Sequence, residues 1–258
     1  IDEVATEYKE MVGIGALLPQ YITIAHNDVY NLPYTGINLG WNWSDVDHGM
    51  THNMVYQNKI INTCMLLQDG GGIYTLGRMD GDSLFYYNYI KNIEMSEWAP
   101  WDNLMGIYFD NGSCYKKAQA NVFDNTVYAF QAYNPPNHDN YFEGNYYNCP
   151  KGLSSIGSSS AKRNIPFTSD NIPEEAQRII DAAGVGTEDL PMPESAYNLA
   201  LGKTVTASSE NPSYPVSNIT DGDQSTRWEQ ADIPNKPDTS QDPTWVQVDL
   251  EDSYSITD

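Results

Sequence analysis

The chain has 258 residues, a net charge of −22, and 13 basic side chains against 35 acidic ones. Phosphate recognition rests on clustered lysine and arginine, so this balance excludes nucleic acid and anionic membrane surfaces as partners. No apolar run approaches bilayer length, and no membrane insertion is expected.

Nineteen tyrosines and six tryptophans in an acidic, asparagine-rich chain suit ligands that are neutral, polar and ring-shaped. The three cysteines, Cys64, Cys114 and Cys149, form no Cys-x-x-Cys pair and read as buried free thiols. The chain opens in mid-pattern at Ile1 with no signal peptide, and it reads as a fragment cut at both ends.

An internal repeat occupies residues 1–152. The pattern Asn-x-apolar-x-Asn starts at Asn27, Asn58, Asn88 and Asn121, with a degraded copy at Asn145, giving intervals of 31, 30 and 33 residues between the regular copies. A second anchor, Gly-Ile, recurs at Gly13, Gly36, Gly72 and Gly106. Short β-rich segments at this period, with no helical periodicity between them, predict an all-β solenoid, a right-handed parallel β-helix. Asparagines at its turns can adopt left-handed geometry and stack their amides from coil to coil.

Aligning the coils on Gly-Ile places Ile37, Ile73 and Ile107 in one inward ladder and Leu39, Thr75 and Phe109 in another. Asn38, Tyr74 and Tyr108 then face outward, as do Gly40, Leu76 and Asp110. The second coil is lengthened by residues 42–51, a loop of the kind that builds ligand contacts. Trp41 and Trp43 could stack on sugar rings there, and His52 follows at its end.

The third coil opens with Asp69-Gly70-Gly71-Gly72-Ile73-Tyr74, an acid at the edge of a glycine run that lets the backbone turn or a ligand approach closely. Arg78 follows it, and a second excursion after Asn92 carries Glu94, Glu97, Trp98, Trp101 and Asp102. Asp110 lies in the related phrase of the fourth coil, Met105-Gly106-Ile107-Tyr108-Phe109-Asp110-Asn111-Gly112-Ser113. An extended strand would hold Asp69 too far from Asp110 for a catalytic pair unless the glycines form a corner. Ladder geometry alone sets Asp69 beside Asp102 or Asn103, so Asp102 is the reserve partner.

Residues 153–196 hold a polar stretch, one helix and a linker. Asn171 and Pro173 suit the start of that helix and Gly184 its end, and its apolar stripe would close the open end of the solenoid. From 197 to 258 the chain turns to short strands and loops, the opening of a β-sandwich. Its acidic loop, Asp221-Gly222-Asp223-Gln224-Ser225-Thr226-Arg227-Trp228, offers hard oxygens of the kind calcium prefers.

That loop, with Asn198-Leu199-Ala200-Leu201-Gly202-Lys203 before it and Trp245-Val246-Gln247-Val248-Asp249-Leu250 after it, resembles the start of a discoidin-type (F5/8 type C) module of the carbohydrate-binding family 32 kind, a jelly roll of which residues 197–258 cover the first half. The resemblance implies a structural Ca2+ held by Asp221, Asp223 and Thr226. The first 190 residues resemble right-handed β-helix glycoside hydrolases, most closely glycoside hydrolase family 141, with families 120 and 136 related. The carriers are Pro33-Tyr34-Thr35-Gly36-Ile37-Asn38-Leu39-Gly40-Trp41, the Asp69–Gly77 phrase and the helix ending at Gly184.

The resemblance implies a glycosidase of the α-L-fucosidase or xylanase sort acting on plant or host glycans without a catalytic cofactor. Two family aspartates fall on Asp69 and Asp110, with Trp41, Trp43, His52, Tyr74, Arg78 and Tyr108 toward an oligo- or polysaccharide. A secreted or cell-surface bacterial protein is the implied setting. The alternatives are a non-catalytic glycan-binding surface protein and a polysaccharide lyase, the latter needing a basic group that only Arg78 would supply.

Overall fold

The asparagine repeat is the spine of the fold. The computed structural model describes residues 1–81, 83–193, 200, 202–221, 226–231 and 244–250. The chain divides into two units, 1–196 and 197–258, taken separately below. The protein is mostly β, and among the described residues no helix is long and apolar enough to cross a membrane.

The first unit is built of three parallel sheets; the chain returns to each on every third strand as far as Tyr146–Asn148 and then adds one strand more to the second and third. One sheet holds Ile14–Ala16, Ile37–Leu39, Gly70–Thr75, Leu104–Phe109 and Tyr128–Gln131; it carries the candidate site and is called the site sheet. The second holds Thr23–Ala25, Met54–Tyr56, Leu84–Tyr86, Lys117–Gln119, His138–Glu143 and Ser158–Lys162. The third holds Asp28–Tyr30, Lys59–Ile61, Tyr89–Ile93, Val122–Thr126, Tyr146–Asn148 and Ile165–Pro166.

Between the second and third sheets each coil turns at a left-handed residue and then places an asparagine inside. The turn residues are His26, Gln57, Tyr87, Ala120, Gly144 and Arg163. The left-handed geometry therefore precedes Asn27, Asn58, Asn88 and Asn121 rather than residing on them. Asn58 donates from its backbone N and Nδ2 to Asn88 Oδ1 at 3.1 and 2.9 Å, and Asn88 donates likewise to Asn121 Oδ1. The same pair of bonds joins Asn27 to Asn58, Asn121 to Asn145 and Asn145 to Asn164. A buried amide needs every one of its polar atoms matched, and this ladder matches them coil by coil.

The second asparagine of each repeat forms a ladder of opposite sense. Asn31, Asn62, Asn92 and Asn125 do take left-handed backbones. Their amides donate backward, Asn125 to Asn92, Asn92 to Asn62, Asn62 to Asn31, and Asn31 to Asp2.

Inside, the predicted register holds. Ile14, Ile37, Ile73 and Ile107 stack in line, as do Leu39, Thr75 and Phe109. Phe85, Phe109, Phe123, Phe130 and Phe142 fill the interior toward the C-terminal coils. The Gly-Ile glycines are required by space. A Cβ on Gly13, Gly36 or Gly106 would lie 2.7 Å from the carbonyl of Gly36, Gly72 or Ala129 respectively, in the next coil.

The sheets continue past residue 152, because Ser158–Lys162 and Ile165–Pro166 add strands to two of them and Asn164 adds a rung. That coil is only 19 residues long between rungs, too short to align with the earlier period. The helix Glu174–Ala182 starts after Pro173 with no side-chain cap, so Asn171 does not cap it. Nor does it close an end of the solenoid. Its stripe, Ala176, Ile179 and Ala183, packs on Tyr87, Tyr89, Val122 and Phe167 along the flank, where outward tyrosines offer it an apolar bed. Gln57 Nε2 pins it there by donating to Ala182 O at 2.8 Å.

In the second unit Val205–Ala207 pairs antiparallel with Val246–Val248. Trp228 Nε1 donates to Ser209 O, and the Arg227 guanidinium lies 4.2 Å from the Tyr214 ring centre.

Candidate active site

The site sheet turns one face outward. Asn38, Tyr74 and Tyr108 stand in register on it, and Tyr74, Leu76, Met105 and Tyr108 form a small apolar layer against Tyr128. Asp110 follows the strand Leu104–Phe109 and is buried, with its N–H held by Thr75 O at 2.9 Å. Tyr74 Oη donates to Asp110 Oδ2 at 2.6 Å, and Asn134 Nδ2 donates to Asp110 Oδ1.

Asp69 enters from the other end of the same face. It, and not the glycines after it, carries the left-handed backbone, with φ +59°. Its N–H bonds Asn103 O at 2.8 Å, and Asn103 Nδ2 returns a 2.7 Å bond to Asp69 Oδ1. Tyr108 Oη donates to the same Oδ1 at 3.4 Å and accepts from Asn134 Nδ2 at 2.8 Å. The two carboxylates therefore share one network through Tyr108 and Asn134.

An extended run from Asn103 to Tyr108 would cover about 16 Å at roughly 3.3 Å per residue. Strict alternation would also put Asn103 and Tyr108 on opposite faces, yet Leu104 and Ile107 both point inward, Met105 and Tyr108 outward, and Asn103 Nδ2 lies 3.3 Å from Tyr108 Oη. The strand bends where its pairing to Gly70–Thr75 skips Gly72 and Gly106. A Cβ at Gly106 would sit 2.2 Å from Phe123 and one at Gly72 2.5 Å from Ile90, so the bend admits no larger residue.

Electrostatics marks Asp69 and the phenols around the pair. Burial, and then the nearby Asp110 charge, raise the Asp69 carboxyl above its ordinary range against the opposing pull of Asn103 and Tyr108. Burial and the hydrogen bond to Asp110 push the Tyr74 phenol upward; burial and the charges of Asp110 and Asp69 do the same to Tyr108. Tyr34, whose Oη donates to Asp69 O at 2.8 Å, is raised to about 12, mainly by burial. All three phenols stay protonated and act as donors.

The remaining sequence candidates lie at varying remove. Asp102 accepts from Tyr128 Oη at 3.1 Å and pairs with Lys151, whose bond holds its carboxyl below the usual range. Trp41 and Trp43 are 46% and 54% exposed and meet edge to face at 4.6 Å. Their loop packs on the turn after Asp110, since a Cβ at Gly112 would lie 2.3 Å from Ser44 O. Arg78 grips Asp80 at 2.8 and 2.9 Å and covers the Tyr115 ring. His52 stacks on Tyr21 at 4.8 Å and bonds Thr51, with no contact to the carboxylates among these bonds.

Asn134 and Lys116 join the site without a motif to mark them, and Tyr34, within the Pro33–Trp41 phrase, adds a bond to Asp69 that the phrase did not foretell. Lys116 is wholly buried, donates from Nζ to Gly77 O, lies 5.6 Å from the Phe109 ring centre, and is pushed down to about 7 by burial. The asparagine repeat carried a signal for it, because Lys116 precedes Asn121 by the same spacing at which Asn53 and Ser83 precede Asn58 and Asn88, and it occupies the polar corner they hold in earlier coils.

In the second unit Thr226 Oγ1 donates to Asp221 Oδ2 at 2.8 Å, and Asp223 lies outside the described residues. Among the described residues no three His, Cys, Asp or Glu side chains converge as metal ligands.

Residues 204–258 match the F5/8 type C domain family. No curated protein matches the chain. A solved structure named glycoside hydrolase is similar at 23% identity with a TM-score of 0.46, over 67% of this chain and 24% of that one. The chain thus spans about a quarter of the length of that structure.

Proposed function

We propose that the first unit is part of a right-handed parallel β-helix glycoside hydrolase, akin to family 141, and that the second is the opening of a sugar-binding discoidin-type module. The right hand follows from the near-invariant sense of parallel crossovers. The observation that carries the catalytic reading is the shared network of Asp69 and Asp110, with Asp69 raised by burial and by its neighbour's charge. Two carboxyl groups whose environments differ in this way are the minimum for glycoside hydrolysis.

In this reading Asp69 is the general acid. Its proton passes to the glycosidic oxygen as the bond to the anomeric carbon breaks, and water supplies the hydroxyl that replaces the leaving sugar. Asp110, clamped by Tyr74 and Asn134, serves the anomeric side as base or nucleophile. Trp41 and Trp43 contact the sugar chain, Tyr74 and Tyr108 order the acids, and Arg78 and His52 lie toward the rim. The substrate is an oligo- or polysaccharide of plant or host origin, in the α-L-fucosidase or xylanase range, and the setting is secreted or cell-surface. A polysaccharide lyase is disfavoured because Arg78 is engaged by Asp80.

In the second unit we further propose a structural Ca2+ held by Asp221, Asp223 and Thr226; the support is the hard-oxygen character of the loop, in which Thr226 Oγ1 and Asp221 Oδ2 lie 2.8 Å apart. Its removal by a chelator is expected to lower the melting temperature of this unit.

Release of reducing sugar from a panel of aryl-glycosides and glycans tests the reading, with Asp110→Asn as the control. The competing reading, a non-catalytic glycan-binding protein, is favoured by the exposure of Trp41, Trp43, Trp98 and Trp101. Binding without release for every glycan would select it.

A further inference from the structure

Aromatic residues bracket the carboxylate pair on both sides. On the Asp69 side, Trp101 is 59% exposed, and its indole Nε1 donates at 3.0 Å to the Gln68 side-chain oxygen once that amide is oriented to satisfy both partners. Gln68 directly precedes Asp69. On the Asp110 side, Trp43 adjoins Ser44, whose backbone packs on Gly112 two residues past Asp110. Trp41 and Trp43 brace each other edge to face. Each flank therefore presents an exposed indole that the protein holds in place.

A second, independent observation on the same face points to a ligand. Asn38 stands in register with Tyr74 on the outward face, is 7% exposed, and its Oδ1 has no hydrogen-bond partner. Burying an amide oxygen unmatched is costly, and a ligand hydroxyl is a natural donor to it. The basic groups nearby are already engaged, Arg78 by Asp80, Lys151 by Asp102, and Lys116 by Gly77 O. Nothing here favours an anionic chain.

Resting on the glycosidase reading, we propose that Trp101 and the Trp41/Trp43 pair are sugar subsites on opposite sides of the scissile bond, and that a ring hydroxyl reaches the unpartnered Asn38 Oδ1 when the side chains over it part to seat the sugar. The ligand is an uncharged oligosaccharide lying across the coils and cut at an internal linkage. Indole faces suit the C–H faces of uncharged sugar rings, and two such platforms flanking a bond favour chains over single units.

The test uses the whole 258-residue chain with linear xylo-oligosaccharides and fucosylated oligosaccharides of two to six units, measuring kcat/KM and product sizes. Turnover is expected to climb with chain length and to release internal fragments. Trp101→Ala should lower kcat/KM on the longest chains roughly tenfold, the scale of a buried aromatic anchor, and much less on the shortest. Trp101→Phe keeps a ring and should retain most activity, which separates lost stacking from a misfolded loop. Asn38→Leu should raise KM without lowering melting temperature. Length-independent release of single terminal sugars, or a Trp101→Ala enzyme as active as the parent on long chains, overturns the two-sided subsite. Should no chain be hydrolysed at all, the glycosidase reading fails, and this inference with it.

Discussion

Asn103, not Asp102, faces the Asp69 carboxylate, with its Nδ2 donating to Asp69 Oδ1 at 2.7 Å. One residue along, Asp102 turns away to Lys151 and Tyr128. Adjacent residues just before the strand Leu104–Phe109 thus part company: Asp102 is held ionised by a cation, whereas Asp69 meets only the neutral Asn103 donor, whose downward pull is outweighed by burial and by the Asp110 charge.

Asp69→Asn should abolish most turnover, by about 10²–10⁴-fold, while leaving the melting temperature nearly unchanged. Asparagine tolerates the left-handed backbone at this position and still accepts from Asn103. Asp110→Asn should be as inactive but less stable, because an amide that keeps its oxygen on the Asn134 donor turns its NH2 toward Tyr74 and leaves the Tyr74 hydroxyl proton without its acceptor. Asp102→Asn should retain activity. Hydrolysis rates and melting curves of the three variants check this, and an inactive Asp102→Asn would return the role of partner to that residue.

The Asp69 carboxyl should titrate above its ordinary value, so the protonated acid is lost as pH rises through that raised value. The alkaline limb of activity then belongs to Asp69. Carboxyl-carbon NMR makes the cause separable without turnover. Asp110→Asn should lower the Asp69 value yet leave it above ordinary, since burial is the larger cause. Asn103→Leu should raise it further, because that bond stabilises the ionised form. A value unchanged in Asp110→Asn would mean that the two carboxylates do not sense each other.

Lys116 gives a stability term of definite sign. Burial lowers it to about 7 in the fold, so between there and the ordinary lysine value the unfolded chain holds more protons. Stability from this group therefore rises with pH across that window, by at most about 1.4 kcal/mol per unit, and is flat below it. Chemical denaturation of Lys116→Met and parent from pH 6 to 9 should show the variant more stable at pH 6 and the gap closing upward. A gap independent of pH would place no titrating charge there.

Asn88→Leu should be far more damaging than Asn27→Leu. It leaves Val55 O and the backbone N–H of Asn58 and removes the acceptor for the Asn58 amide, all buried. Each orphan costs about 1–3 kcal/mol. Asn27 sits at the end of its row and is only partly buried, so its loss should cost less than half as much by urea midpoint.

The coil period and inward ladders could be read from sequence because a solenoid repeats one local solution, and Asn58 and Asn88 meet the same demands one coil apart. The corner at Gly72 and Gly106 was legible only as a condition, since glycine marks a bend or close contact without saying which. Asn134 was invisible, because it reaches Asp110 from a loop between strands, outside the repeat. The helix pattern was legible but its berth was not. Ala176 and Ile179 report an apolar face, whereas the flank that receives them is assembled from Tyr87, Tyr89 and Val122 of different coils.

The opposed asparagine ladders have a consequence for how such a chain can grow. Every interior rung is at once donor and acceptor, so a duplicated coil would enter with both needs met and both supplied. Insertion of whole coils is thereby neutral to the ladders, whereas one extra residue between Asn58 and Asn62 would throw one row out of step with the other. Lengthening by modules and intolerance of single-residue slips are two faces of the same pairing rule.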